Sequence, residues 1–522
     1  MLADVAIAAT LYASALLARL AVIAGVSYPI NEGSAYYVAV ARNIVEGRGL
    51  VTDALWSFAT PPLAVPRPAF ELWQPMASFI SAGPMALLAN NAFLSAQLGH
   101  AVVGALVAPL CWAVAREAAT TLQLPAARAR TVSVGSGAVA VVLGPFLTAA
   151  AIPDSTTPFL VLGMVCCLFV PRVLSGSRVA ALALGLTLGL AYLSRLEAVY
   201  IALTLLLLGG LRWRTLVPVV AGGLVIVVPW LVRNVLAFGT LFPGQALENV
   251  FFTRNEDVFA YLDRPTAAQF LGQGPGVLLS NVLTAFTHNL LEVLVVPAAP
   301  VAIGGLLAAG WLMRKAAVRA TALGALLLSG ILTFLAVTLL FPVATLWGTF
   351  AHAAGPLLAG LTVAAVIGAD ALVARLREVR NWPRSNSWLA PLAMVALTLP
   401  ISIALTSALP ALAAEREVRV EALAQSLAAQ PDLGEPLISD HPVWLAEATG
   451  RWAIALPDES LAALVRLAHD MRAPMVAVME GRGRYPAELR SAAGAACFEE
   501  RDLGPQAPAG SGLFVLRHDC EP

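Results

Sequence analysis

The chain alternates long apolar runs with short polar stretches in which arginine recurs. A hydrocarbon core about 30 Å thick calls for roughly 20 apolar residues per crossing helix, and only helices or closed barrels satisfy every backbone group there. These runs are too long for barrel strands. The pattern therefore predicts an all-α polytopic membrane protein with about eleven transmembrane helices. The runs lie near 3–25, 92–115, 131–150, 156–174, 178–193, 196–211, 215–233, 284–312, 320–341, 352–374 and 387–409. Segment 73–90 is apolar as well, but Pro75 and Pro84 interrupt it, which suits an interfacial or re-entrant piece. The run beginning at Ala3 is longer than a signal-peptide core and has no basic flank before it, so it reads as the first membrane helix.

The polar stretches set orientation. Arg116, Arg128 and Arg130, then Arg172 and Arg178, then Arg212 and Arg214, fall in alternate short loops. Arg314, Lys315 and Arg319 follow, and then Arg375, Arg377, Arg380 and Arg384. Positive residues favour the cytoplasmic side, which places the N-terminus inside and 26–72, 234–283 and the C-terminal tail outside. From about residue 411 the pattern changes. Short apolar runs (436–439, 452–456, 475–479) alternate with helical spacing such as Leu461, Leu464, Val465 and Ala468. This predicts a membrane domain over 1–410 and a small extracytoplasmic α/β domain over 411–522.

Composition sharpens the picture. Hydrophobic residues make up 59% of the 522-residue chain and charged residues only 12%, against about 25% in a soluble domain. A net charge of zero argues against a nucleic-acid partner. Cys111, Cys166 and Cys167 fall inside expected spans, where packing is their expected role. Cys497 and Cys520 fall in the outer tail, where an oxidising compartment would permit a disulfide. None of the cysteines has metal-ligand spacing, so no metal site is assigned.

In so apolar a chain the polar groups carry the chemical information. The first outer segment reads Tyr28-Pro29-Ile30-Asn31-Glu32-Gly33-Ser34-Ala35-Tyr36-Tyr37, followed by an expected amphipathic helix from Val38 to Glu46 and then Gly47-Arg48-Gly49-Leu50. Glu32 could take a proton from a substrate hydroxyl, or could simply favour a helix start. A charge at membrane depth costs roughly 2.5–3.5 kcal/mol on insertion scales and usually has a partner or a task. Arg195 has Glu197 within reach, and Arg233 can snorkel from a helix end. Either could instead hold a phosphate with its planar fork, as could Arg254 in a later outer loop. Asp154 could cap the next helix, orient an acceptor or share a metal with Glu32, while His352 could donate to a phosphate or serve structurally. Arg19, inside the first run, has no partner that the sequence reveals.

The first outer loop resembles that of the GT-C superfamily of polytopic glycosyltransferases, which includes protein O-mannosyltransferases and lipid A aminoarabinose transferases. In that family an acidic residue or pair follows the first span, then tyrosines, then a helix ending in a G-x-G turn. Asn31-Glu32 stands at the acidic position, followed by Tyr36 and Tyr37, and Ala41-Arg42-Asn43-Ile44-Val45-Glu46-Gly47-Arg48-Gly49 matches the helix and turn. Asn stands where a second acid is common, and Glu where Asp is more usual. Leu193-Ser194-Arg195-Leu196-Glu197 is similar to the family's R-x-E turn. Pro229 to Asn234, with Phe238-Gly239-Thr240-Leu241-Phe242-Pro243, is similar to the end of its seventh span. An R-Y pair common in the last core helix is missing.

The resemblance covers most of 1–380. It implies transfer of a sugar from a polyprenyl phosphate to an acceptor hydroxyl on a glycan, lipid or protein at the outer face of the plasma (inner) membrane. Glu32 would be the general base, the anomeric configuration would invert, and Arg195, Arg233, Arg254, Asp154, His352 and Tyr36 would be substrate-side candidates. Some relatives use a divalent metal and others none. A transporter or flippase of lipid-linked sugars and an inactive scaffold are the alternative readings. Against the transporter stands the absence of a paired repeat between the two halves.

Overall fold

A hydrophobic run becomes a stable crossing element only if its helix is long enough and its backbone bonds close. The computed structural model describes residues 2–90, 92–210, 212–382, 384–430, 432–481 and 483–521. Among them, eight helices are long and apolar enough to cross a membrane, or nine if a pair bent by 46° (Ala126–Val142 and Gly144–Ala151) is one span. The protein is a multi-pass membrane protein, mostly helical, with a small strand-containing C-terminal region. Its chain falls into two compact units: Met1–Val26, Gln74–Leu231 and Val282–Leu409 form one, and Ser27–Trp73, Val232–Asn281 and Pro410–Pro522 the other.

Several expected spans differ in detail. The runs near 178–193 and 196–211 form helices Arg178–Tyr192 and Ala198–Gly209, which at 1.5 Å per residue reach about 22 and 18 Å, short of a 30 Å core. The last residue of the second run, Leu211, lies outside the described residues. The run near 284–312 is not one span. One helix covers Pro275–Val295, ending in a π-helical stretch His288–Val295, and a separate helix covers Ala299–Leu312. Pro297 and Pro300 bracket the break, and a proline ring lacks the N–H that would carry the ladder through. Segment 73–90 gives the helix Met76–Leu88, about 20 Å long.

The helical unit is built around Gly355–Arg380. Residues 355–367 of that helix are buried, and it packs against Val107–Thr121, Ala126–Val142, Thr156–Leu174, Ala299–Leu312, Ala322–Leu340 and Leu389–Ser407. Lipid tails are as apolar as leucine, so close backbone approach rather than water exclusion holds such helices together. Small residues permit it. A Cβ on Gly185 would sit 2.1 Å from the Val219 carbonyl oxygen, and one on Gly222 2.5 Å from that of Leu182. Gly185→Leu should therefore force apart Arg178–Tyr192 and the helix Trp213–Phe238. The expected cost is about 1–3 kcal/mol, read as a lower thermal midpoint of the purified protein; an unchanged midpoint would mean the pair does not need this approach. Arg128 pairs with the buried Asp370 at 2.5 Å. Arg19 is fully buried, donates to the Ala15 carbonyl, and lies beside Gly104, where a side chain would meet its Nε at 3.0 Å.

The second unit carries the sheets. Strands β1 (Val51–Thr52) and β3 (Arg67–Pro68) pair antiparallel. The larger sheet has the order β2-β5-β4-β6-β8-β7, with β2 (Ala54–Leu55), β4 (Leu437–Ser439), β5 (Ala453–Ala455), β6 (Met475–Val478), β7 (Phe498–Arg501) and β8 (Gly512–Leu516). β2, β5, β4 and β6 are parallel; β8 runs antiparallel to β6 and to β7. Three of these strands sit in the apolar runs expected near 436–439, 452–456 and 475–479. β2 comes from the first polar segment, so this sheet is assembled from residues far apart in the chain. Cys497 and Cys520 form a disulfide with Cα atoms 5.2 Å apart, 23 residues apart in sequence. Closing a loop of that size is worth about 3 kcal/mol by chain entropy. Cys520→Ser should lower unfolding stability by about that much, and a reductant-insensitive midpoint in the wild type would contradict it.

Candidate active site

Glu32 owes its place to its helix. That helix runs from Glu32 to Val45, six residues longer at its start than the amphipathic stretch expected from Val38. Asn31 is its N-cap, its side-chain oxygen accepting from the Ser34 N–H at 2.8 Å. Asparagine is well suited to that task, which gives a physical reason for its presence beside the acid. Glu46 caps the helix at its C-terminus, and Gly47 and Gly49 then take φ values of +78° and +83°, which residues with a Cβ rarely adopt. Asn43 donates to the Val51 carbonyl and accepts from Arg48, which also grips Asp53 with both Nη atoms. Arg42 pairs with Glu447. The whole motif from 41 to 49 is thus a fixed corner leading into β1.

The Glu32 carboxylate is 7% exposed. Its Oε1 accepts from the Val443 N–H at 3.1 Å, in the first turn of the helix Pro442–Thr449, and its Oε2 lies 3.2 Å from His441 Nδ1. His441 Nε2 faces Glu480 Oε2 at 3.4 Å. Burial alone would lower the His441 pKa; the hydrogen bond and charge of Glu32, joined by Glu480 and Asp440, outweigh it and raise the imidazole to about 9. The bond from His441, against a smaller opposing effect of burial and with help from Arg416, holds Glu480 down at about 2. Arg416 pairs with Glu480 and lies 4.3 Å from the Trp444 ring centroid, and the Trp444 and His441 rings are 4.9 Å apart. Asp440 accepts the N–H groups of Met479, Glu480 and Gly481.

None of His441, Asp440 and Glu480 was singled out from the sequence. A signal existed. β4 leads through Pro442–Thr449 to β5 on one side, whereas β6 continues to β7 and then β8 on the other, so the connections diverge between β4 and β6. Open parallel sheets bind at the carboxyl ends of strands at such a point. Ser439-Asp440-His441 follows β4 and Glu480 follows β6, at those ends.

The other candidates in this unit have defined partners. Tyr36 is buried, its hydroxyl accepting from the Phe70 N–H at 2.6 Å and its ring against Trp73 at 4.6 Å. Arg233 donates to the Ala69 carbonyl at 2.6 Å and to Asn234, with its guanidinium 5.1 Å from the Phe238 ring centroid. Arg254 bridges Asp257 and Asp458, the latter at 2.9 Å, and also donates to the Asp458 carbonyl.

The helical unit gathers Asp154, Arg195 and His352. Asp154 Oδ1 accepts from the Thr156 N–H at 2.7 Å at the head of Thr156–Leu174, and its Oδ2 lies 3.1 Å from His352 Nδ1. Thr156 Oγ1 is also 3.0 Å from that nitrogen. The His352 side chain is 34% exposed, and a Cβ on Gly348 would lie 3.3 Å from its Nε2. Arg195 binds Glu197 through Nε and Nη2, Ser155 Oγ through Nη1 and the Thr349 carbonyl through Nη2. It thereby ties the turn after Asp154 to the short helix carrying His352.

No group of three or more His, Cys, Asp or Glu suited to a metal occurs among the described residues. Asp154 with His352 offers two donors, and the cationic His441 beside Glu32 does not suit a divalent ion, so no step is routed through a metal.

No protein-family model and no curated protein matches the chain. Solved structures do. ArnT from Cupriavidus metallidurans bound to undecaprenyl phosphate is 14% identical with a TM-score of 0.56, over 98% of this chain and 98% of that one. Its apo state gives 0.54 over 98% and 97%. The Archaeoglobus fulgidus oligosaccharyltransferase tethered to an acceptor peptide is 14% identical with a TM-score of 0.53, over 90% of this chain and 68% of that one. At these identities the likeness is one of fold.

Proposed function

From a GT-C fold shared end to end with ArnT, we propose that this chain is a glycosyltransferase that moves a sugar from a polyprenyl phosphate to an acceptor hydroxyl. The hydroxyl oxygen attacks the anomeric carbon, the bond from that carbon to the phosphate oxygen breaks, and the hydroxyl proton passes to Glu32. Polyprenyl phosphate leaves, and a single displacement inverts the centre. The observation that carries this reading is the setting of Glu32: a buried carboxylate whose two oxygens face the His441 imidazole and the Val443 N–H. The group meeting it is an imidazole rather than a second carboxylate, which suits single displacement over the paired-carboxylate route.

The donor class rests on what the solved structures hold, undecaprenyl phosphate in ArnT and dolichol phosphate in the Archaeoglobus enzyme. Fold alone does not assign chemistry, so the residues must carry it. Arg195, His352 and Arg233 are the proposed phosphate contacts, stabilising the charge that develops on the leaving group. Asp154, through His352, and Tyr36 and Arg254 are proposed as further substrate-side residues. The outer face is the proposed site of reaction, supported by the arginine-rich opposite loops and by the Cys497–Cys520 disulfide, which suits an oxidising compartment. The proposed setting is the plasma membrane, N-terminus cytoplasmic, with the 411–522 region outside.

The test is sugar transfer or donor hydrolysis by purified protein, given a panel of polyprenyl-phosphate sugars and hydroxyl acceptors. Turnover supports the reading. Movement of the lipid-linked sugar across vesicles without transfer would replace it with the flippase, and binding without either activity with the scaffold.

A further inference from the structure

We propose that His441, bracketed by Glu32 and Glu480, is the positioning residue of the catalytic carboxylate, so that the loop after β4 is part of the catalytic apparatus. The inference rests on the reading of Glu32 as base. An ionised carboxylate has about four lone-pair sites. His441 and Val443 each take one, leaving sites for a substrate hydroxyl while fixing the plane of the group.

The imidazole can do this only while both its nitrogens carry protons. Nδ1 faces Glu32 Oε2 at 3.2 Å and Nε2 faces Glu480 Oε2 at 3.4 Å, so both neighbours are acceptors. A neutral ring has one N–H and must turn a lone pair on one carboxylate. The other groups on this assembly are Asp440, engaged with the N–H groups after β6, Arg416 and Arg419 on Glu480, and the Trp444 ring against His441. Exposure is concentrated at one end of the row: the side chains of Glu32 and His441 are 7% and 2% exposed, whereas that of Glu480 is 27%. Glu480 thus holds the outer end of the row where water and the two arginines reach it. A merely structural triad would join the first polar segment to the tail in the same way, but it would leave no mark on the pH dependence of turnover.

With His441 raised to about 9, turnover should fall as pH rises through about 9. The sign is that of a group whose folded pKa lies above its ordinary 6.5: its contribution is complete below 6.5 and lost on passing about 9. The experiment is the pH profile of kcat/KM for wild type, His441→Gln, Glu480→Gln and Glu32→Gln, each checked for a cooperative thermal transition. His441→Gln should lose about tenfold or more at neutral pH and lack the alkaline limb. Glu480→Gln removes one acceptor at the exposed end and should move that limb to lower pH, which decides the matter should His441→Gln not fold. Alkaline limbs in both variants coinciding with the wild type, while Glu32→Gln is inactive, would overturn this proposal and leave the base in place. An active Glu32→Gln would instead overturn the base.

Discussion

Glu32→Gln lowers turnover of a polyprenyl-phosphate sugar by about 10²–10⁴-fold, the usual worth of a general base. Both of the groups that bind Glu32 are donors, the His441 imidazolium and the Val443 N–H. A glutamine has one acceptor oxygen to offer them, so its amide nitrogen must confront one donor. Some loss of stability therefore accompanies the loss of chemistry. Turnover must be normalised to folded, monodisperse protein, and donor-lipid binding measured in parallel. The expected result is retained lipid binding with kcat depressed; transfer at wild-type rate in a protein carrying this substitution would remove Glu32 from the mechanism. A fall in binding that matches the fall in rate would place Glu32 in substrate recognition.

The largest structural effect is expected at Arg67. Its side chain and that of Glu71 are 2% and 7% exposed and lie 2.9 Å apart. Arg67 also donates to the Ser57 and Thr60 carbonyls, and Glu71 accepts from the Thr60 N–H at 2.7 Å. Together they hold the turn from 57 to 71 against itself. Burial raises the Glu71 pKa, the Arg67 charge opposing that rise. Arg67→Ala leaves a buried carboxylate without its counter-charge and frees two buried carbonyls, which should cost about 3–5 kcal/mol. Arg67→Met with Glu71→Leu removes both charges and should recover much of that loss. Unfolding midpoints of the purified variants decide it: a single variant as stable as wild type, or a double variant worse than the single, contradicts the assignment.

What could be read in advance follows from how local each signal is. A membrane span is announced by its own residues, because hydrocarbon tolerates only long apolar helices; hence the runs near 3–25, 156–174 and 320–341 find their helices within a few residues. Pro297 and Pro300 carried a local signal for the break after Val295, masked by the apolar residues on both sides. The pairing of Arg195 with Glu197 was readable from a two-residue spacing. The partners of Glu32 were not readable from spacing, since His441 and Val443 lie 409 and 411 residues away from it, and β2 from the first polar segment joins the later strands in one sheet. The start of its helix at residue 32 instead of 38 depended on Asn31 acting as a cap, a role that competes in sequence with an acidic motif.

The addition of β2 to a sheet otherwise made from residues beyond 436 has a bearing on biogenesis. At 5–20 residues per second, ribosomes need roughly 20–80 s to reach the tail after Ala54-Leu55 has emerged. Throughout that interval the strand lacks β5, and Glu32 lacks both His441 and Val443. The nascent chain thus carries its carboxylate unassembled, and translation must pass residue 443 before the group acquires the donors that orient it.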